Sequence, residues 1–292
     1  MAHPTSTLRL LTGIMVGLLV CFTVQGLAYY GFGCGTGKTE SNYFSTISRF
    51  QSAVAPGAEI ALVGSSISGR LPGRESGNQE IANLGSDGGS SLDGLALLNE
   101  GLVGRLKWWV LETNTAFSSG AYVETPAVTG ARRLWFRVGG TIPLLGASAR
   151  PTGMLYSGLK GRNQFASPPP FTLPRVPSAV PESSLHEEAL TVFERERIQR
   201  LSGGLLQARK RGTRILMVRY PAGLLKPKQV DEMNTVIAQL HQQTGAPYLD
   251  LDSEIPRSEL VFTDNVHLSP ESAARVLATV REAIRRLEQA TQ

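Results

Sequence analysis

Asp264 and His267, three residues apart, are the pair in this chain best suited to moving a proton. Only four histidines occur, and imidazole is the side chain that most often serves as a general base near neutral pH. Ser269, Pro270 and Glu271 follow directly: a hydroxyl for an N-cap, a proline for the first helical position and a carboxylate for the positive helix end. The pair therefore sits in a loop ahead of a helix. There a carboxylate can hold the ring in one tautomer while the other ring nitrogen takes a proton from a hydroxyl. Candidate hydroxyls lie in Gly64-Ser65-Ser66-Ile67-Ser68. Asn83-Leu84-Gly85-Ser86-Asp87-Gly88 offers a backbone N–H at Gly88, where the missing side chain lets a substrate oxygen come close. Glu112-Thr113-Asn114 offers a side-chain amide. A hydroxyl nucleophile, a base with its carboxylate and two oxyanion donors are the parts acyl transfer needs.

These segments have to be positioned by the elements around them. Glu59–Val63 is a short apolar run like a buried parallel strand, and Ile81–Leu84, Trp108–Glu112, Thr213–Arg219 and Pro247–Leu251 read as further strands. Thr46–Val54, Leu92–Gly101, Ser184–Arg211 (broken at Gly203-Gly204), Pro227–Thr244 and Pro270–Gln289 read as helices. The alternation predicts an α/β fold with a parallel sheet covered on both faces. In such folds ligands bind beyond the carboxyl ends of the strands, where the four segments fall. Residues 118–182 have many Gly and Pro, with Pro168-Pro169-Pro170 among them, and little periodicity; they read as an irregular insertion or lid. Arg132, Arg133, Arg137, Arg150, Lys160, Arg162 and Arg175 make it basic.

Taken in order, the four segments resemble those of the SGNH hydrolases, the GDSL-like family, over nearly all of 58–292. The resemblance implies a flavodoxin-like three-layer α/β/α sandwich. It implies Ser66 as nucleophile, His267 as base, Asp264 as its orienting carboxylate, and Gly88 N–H with the Asn114 amide as oxyanion donors. Two residues depart from the family pattern: Ser65 stands where Asp is usual, and Glu112 where Gly is usual. A Gly-Ser-Ser start resembles branches that modify cell-surface polysaccharides and envelope polymers. The implied substrates are acyl esters of a glycan or a small ester, with no metal or organic cofactor. Transfer rather than hydrolysis would require a membrane-bound acyl donor. A non-catalytic polysaccharide-binding component with the same fold is the alternative, motivated by Glu112 and the basic insertion.

The 292 residues allow ample core, and 18% charged with 41% hydrophobic residues exclude a disordered polymer. A net charge of +5 without a dense Lys/Arg run argues against nucleic acid as partner. Residues 10–32 form an uncharged apolar stretch preceded by Arg9 and carrying Tyr29 and Tyr30 near its end. It reads as an uncleaved transmembrane anchor after a cytoplasmic tail of 1–9, followed by a 33–45 linker and an extracytoplasmic 46–292 domain. A cleaved signal peptide is the rival, with a poor cleavage site at Gly26-Leu27-Ala28. Cys21 and Cys34 cannot staple the main domain, and Cys34 lies in a weak lipidation context. Gly37-Lys38-Thr39 lacks the glycine and the preceding strand of a phosphate loop.

Several residues invite a function and read more simply otherwise. Ser65 and Ser68 are alternative nucleophiles only if the register shifts. His3 lies in the tail, and His186 and His241 on charged helices. Asp250, Asp252 and Glu254 form an acidic run without His or Cys at ligand spacing. Trp108 and Trp109 read as strand core, with a sugar-lining role as the alternative.

Overall fold

Five short, largely apolar segments become five parallel strands: β1 (Ile60–Gly64), β2 (Ile81–Gly85), β3 (Trp108–Glu112), β4 (Arg214–Arg219) and β5 (Tyr248–Asp250), in the order β2-β1-β3-β4-β5. The computed structural model describes residues 4–32, 39–116, 121–160, 179–181, 190–222, 227–264 and 266–290. His3, Cys34, Arg162, Arg175, the 168–170 prolines, His186 and Asn265 lie outside them, as does the start of the helix expected at Ser184.

Both faces of the sheet are buried, which is why apolar residues run consecutively along the strands rather than alternating with polar ones. Ala61, Val63, Trp109, Leu111, Ile215 and Met217 face one core. Their neighbours Ile60, Leu62, Trp108, Val110, Leu216 and Val218 face the other. The first core is closed by α2 (Asn42–Val54), α4 (Ser91–Asn99), α8 (Val192–Lys210) and α9 (Pro227–Thr244). The second is closed mainly by α11 (Pro270–Gln289), through Ala273, Val276, Leu277, Val280, Ala283 and Ile284. Burying four such branched side chains contributes on the order of 8 kcal/mol, an upper figure because the unfolded chain already hides some of them.

Each Trp belongs to one core, so neither lines a sugar site; Trp108 Nε1 donates to Glu288 at 2.9 Å. Helix starts follow their caps. Ser41 accepts from Phe44 N–H, and Thr191 with Glu194 closes a capping box. Ser269 accepts from Ser272 N–H with Pro270 at the first position. Two short helices were not expected: α3 (Ser66–Gly69) and α10 (Leu251–Glu254).

Two expectations are corrected. Residues 118–182 are not irregular throughout: they hold α5 (Pro126–Ala131), α6 (Leu134–Thr141), a turn at Pro143–Leu145 and α7 (Pro151–Lys160). These helices are too short to display a period: α5 and α6 rest on α2, where Gln51 donates to Phe136 O and accepts from Ala147 N–H, and α7 rests on the N-terminal helix. Second, α8 runs unbroken through Gly203-Gly204. A Cβ at Gly204 would lie 2.6 Å from Leu95 Cδ2, so this glycine lets α8 approach α4 rather than ending the helix.

At the N-terminus α1 (Pro4–Phe32) contains the 25-residue stretch Thr7–Gly31, long and apolar enough to cross a membrane. Helix α2 begins at Asn42, inside the 33–45 stretch expected as a linker.

Candidate active site

Strand β1 ends at Gly64, and the chain turns at once into α3. Ser65 caps that helix, accepting from Ile67 N–H at 3.1 Å, and Ser66 is its first residue. Beneath the turn lies Glu112, the last residue of β3 and fully buried. Its carboxylate accepts from Ser65 N–H (2.9 Å), Ser65 Oγ–H (2.7 Å), Ser68 N–H (3.0 Å), Ser68 Oγ–H (2.7 Å) and Thr115 Oγ1–H (3.2 Å). Two charge-assisted bonds to backbone and three to hydroxyls offset the cost of burying the charge. Gly64 makes room for this carboxylate: a Cβ there would lie 2.3 Å from Glu112 Oε2.

Ser65 and Ser68 are therefore buried and committed to Glu112, which removes them as nucleophiles. Ser66, between them, is half-buried, and His267 Nε2 lies 2.9 Å from its Oγ. The other ring nitrogen, Nδ1, lies 2.8 Å from Asp264 Oδ2 and 2.9 Å from Oδ1. Asp264 also accepts from His267 N–H at 2.8 Å. The loop is closed by a Phe262–Leu268 bridge and by Thr263 N–H donating to His267 O at 2.8 Å. Partial burial pushes the Asp264 carboxyl up, but bonds from the His267 ring and from the loop N–H groups outweigh it and hold it below the usual Asp range.

The two residues expected as oxyanion donors come together in one pocket. Gly88 and Asn114 line a pocket of about 380 Å³ with Tyr122 and Arg197; Ser66 is not part of that lining. Gly88 has φ 76°, a left-handed conformation that glycine adopts without strain. Asn114 is held by Tyr220 in both directions: Nδ2 donates to Tyr220 O at 2.8 Å and Oδ1 accepts from Tyr220 N–H at 2.8 Å. An amide nitrogen carries two donors, so the second points in a fixed direction. Burial, then the nearby Glu112 charge, pushes the Tyr220 phenol well above its ordinary range, so it stays neutral.

The loop after β2 is held from below as well. Asn83 Nδ2 donates to Leu71 O (2.7 Å) and Ser68 O (3.1 Å), and its Oδ1 accepts from Gly85 N–H (2.9 Å). The buried Arg49 guanidinium donates to Gly85 O (3.1 Å) and pairs with Asp87 (3.0 Å). In the pocket wall Tyr122 donates to Asp93 Oδ1 at 2.7 Å; burial, with Asp93, raises the Tyr122 phenol. Burial lowers the Arg197 guanidinium from its ordinary value.

Sequence reasoning took Glu112 for a departure in the third segment and overlooked Arg49, Tyr122 and Arg197. The signal for Glu112 was present in the two serines flanking Ser66 and the small residue before them. Other charged candidates are occupied elsewhere. Asp252 pairs with Arg219 (2.8 Å) and Arg257 (3.1 Å), and Arg219 also lies 3.6 Å from Asp250. Among the described residues no group of His, Cys, Asp and Glu could hold a metal ion. Arg132 is held between Glu100 and Glu124, both at 2.6 Å. His241 Nδ1 contacts Ala246 O at 2.8 Å. No protein-family model matches this chain, and no curated protein matches it.

Proposed function

We propose that this chain is a membrane-anchored serine ester hydrolase or O-acyltransferase of the SGNH type. Its substrates are acyl esters, acetyl foremost, of a glycan or envelope polymer outside the cytoplasm. One observation carries the reading: a single imidazole bridges the Ser66 hydroxyl at 2.9 Å and the Asp264 carboxylate at 2.8 Å, and these residues come from opposite ends of the domain. The strand order 2-1-3-4-5 is the flavodoxin-like one, and the polar segments lie beyond its strand ends, where such folds bind ligands. The engagement of Glu112 beneath the nucleophile turn also weakens the non-catalytic alternative, which rested partly on that residue.

In the proposed reaction His267 Nε2 takes the Ser66 hydroxyl proton as Oγ attacks the ester carbonyl. The negative charge on the carbonyl oxygen is met by Gly88 N–H and the free Asn114 N–H. Collapse breaks the bond to the alcohol, which leaves with the proton from His267, and the acyl group stays on Ser66. Water or a sugar hydroxyl then gives its proton to His267, takes the acyl group and restores the Ser66 hydroxyl. Asp264 holds Nδ1–H toward itself throughout and stabilises the imidazolium. No metal or organic cofactor is required. Transfer would require a membrane-bound acyl-donor protein to load Ser66, and no step calls for nucleic acid.

The test is turnover of p-nitrophenyl acetate by the full chain beside Ser66→Ala. Release of nitrophenol by the wild type and none above background by the variant is expected. Equal turnover would remove Ser66 as nucleophile. Acyl transfer to an added glycan faster than hydrolysis would assign the transferase.

A further inference from the structure

The last turns of α1 are not free. From Leu8 to Leu27 its large apolar side chains are exposed, but Tyr29 is only 4% exposed while its neighbour Tyr30 is 72% exposed. The body of the protein covers one side of the helix here, through α7 and the Pro143–Leu145 turn. Gln25 Nε2 donates to Ala149 O at 2.8 Å and to Leu144 O at 3.1 Å. An amide in an apolar helix needs partners when water is absent, and this segment's backbone supplies them. Residues 142–151 are thus fixed to α1 at Gln25–Tyr29.

That attachment sets a height. The 25 residues of Thr7–Gly31 extend about 37 Å as a helix, about 7 Å more than the hydrocarbon core of a bilayer. If α1 spans, Gln25–Gly31 lies at the boundary, and the segment docked on it lies there too. Its outer surface suits that position. Leu145 and Leu155 are exposed apolar side chains on the elements that touch α1, and Ile142, just before the Pro143–Leu145 turn, is exposed as well. Leu134 is exposed on α6, which packs on the same turn, and Arg133 and Arg137 are exposed beside it. Apolar groups among cationic ones are the composition of a surface resting in the headgroup layer of an anionic leaflet.

We infer that residues 133–155 form a second membrane contact beside α1, placing Ile142, Leu145 and Leu155 in the interfacial layer of an anionic lipid surface. α2 carries this segment on the β2 edge of the sheet and also holds the loop bearing Gly88, through Arg49 on Gly85 and Asp87. The candidate site is then kept at a constant distance from the lipid surface, suited to a polymer or donor presented there. The inference rests on α1 spanning the bilayer, which the test checks separately.

The full chain, with both native cysteines replaced by Ser, would be reconstituted in vesicles of phosphatidylcholine and phosphatidylglycerol. It would carry one bimane label at a time, through Leu18→Cys, Leu145→Cys, Leu155→Cys or Gln243→Cys. Gln243 is exposed on α9, which packs toward the opposite edge of the sheet, four strand spacings or about 19 Å from β2. Nitroxide lipids with shallow and deep labels would report depth. Leu18 is expected to respond to the deep label. Labels at 145 and 155 are expected to be quenched by the shallow label at least about twofold more than at 243, and to be shielded from aqueous iodide. Deep quenching at 18 with 145 and 155 behaving like 243 would overturn the second contact while leaving the anchor. No quenching at 18 would overturn the spanning helix and the inference with it. Unchanged circular dichroism keeps each label interpretable.

Discussion

The Ser66 turn and the Asp264/His267 loop meet at one hydrogen bond but are built on opposite terms. Around Ser66 the chain is buried, and Glu112 alone accepts five hydrogen bonds from Ser65, Ser68 and Thr115. Around His267 the loop is open: Asp264 is 51% exposed, and the ring is held by that one carboxylate and a small bridge. Ser66 is therefore positioned by the core of the fold, while His267 is positioned by its own loop. Stability and catalysis should separate along that line. Changes under Ser66 should cost folding energy, and changes at Asp264 should cost rate.

The largest expected effects test the meeting point. Ser66→Ala or His267→Ala should each lower kcat for an ester by about 10⁶-fold, with the melting temperature little changed. Asp264→Asn should follow at up to about 10⁴-fold in kcat, because an amide favours the wrong ring tautomer, again with stability nearly intact. If Asp264→Asn unfolded the protein instead, the contrast between the two regions would be broken.

Asn114→Ala should lower kcat by about 10²-fold through the lost oxyanion donor. It also leaves the Tyr220 backbone without its partner, so kcat must be referred to the folded fraction.

Glu112→Ala sharpens the contrast from the other side. It strands the buried Ser65 and Ser68 N–H groups and should cost about 3 kcal/mol of unfolding free energy, read from urea denaturation. Glu112→Gln keeps the shape but turns N–H donors toward donors, and should fall between wild type and Ala.

The smallest effect is in acid. The Asp264 carboxyl is held below its ordinary value in the folded chain by His267 and loop N–H groups, despite partial burial. Its contribution is present above the unfolded Asp value, about 3.9, and is lost as pH falls through the lower folded value. Between pH 5 and 3 the wild type should lose slightly more stability than Asp264→Asn, in urea midpoints compared at the two values. Exposure of the group to solvent keeps the difference small.

Much of this organisation is legible in the amino-acid sequence because it is local. The bounds of β3, α9 and α11 follow from an apolar run or from a proline and cap at the helix start. The Asp264/His267 loop is legible because Ser269-Pro270 marks its end. What escapes is set by long-range packing. Gly203-Gly204 reads as a break because a glycine's role in bringing α8 against α4 depends on Leu95, more than a hundred residues away. The α5–α7 helices escape because α2 and α1, rather than their own periodicity, hold them. Glu112 reads as a departure because its partners, Ser65 and Ser68, lie on another strand end; only the register of β1 with β3 brings them together.

Covalent trapping shows directly whether Ser66 is the nucleophile. The full chain would be treated with a fluorophosphonate and its peptides mapped by mass spectrometry. A single phosphonyl adduct on Ser66 is expected, lost in Ser66→Ala and strongly slowed in His267→Ala. A folded wild type that takes no adduct, or takes it on Ser65 or Ser68, would contradict it.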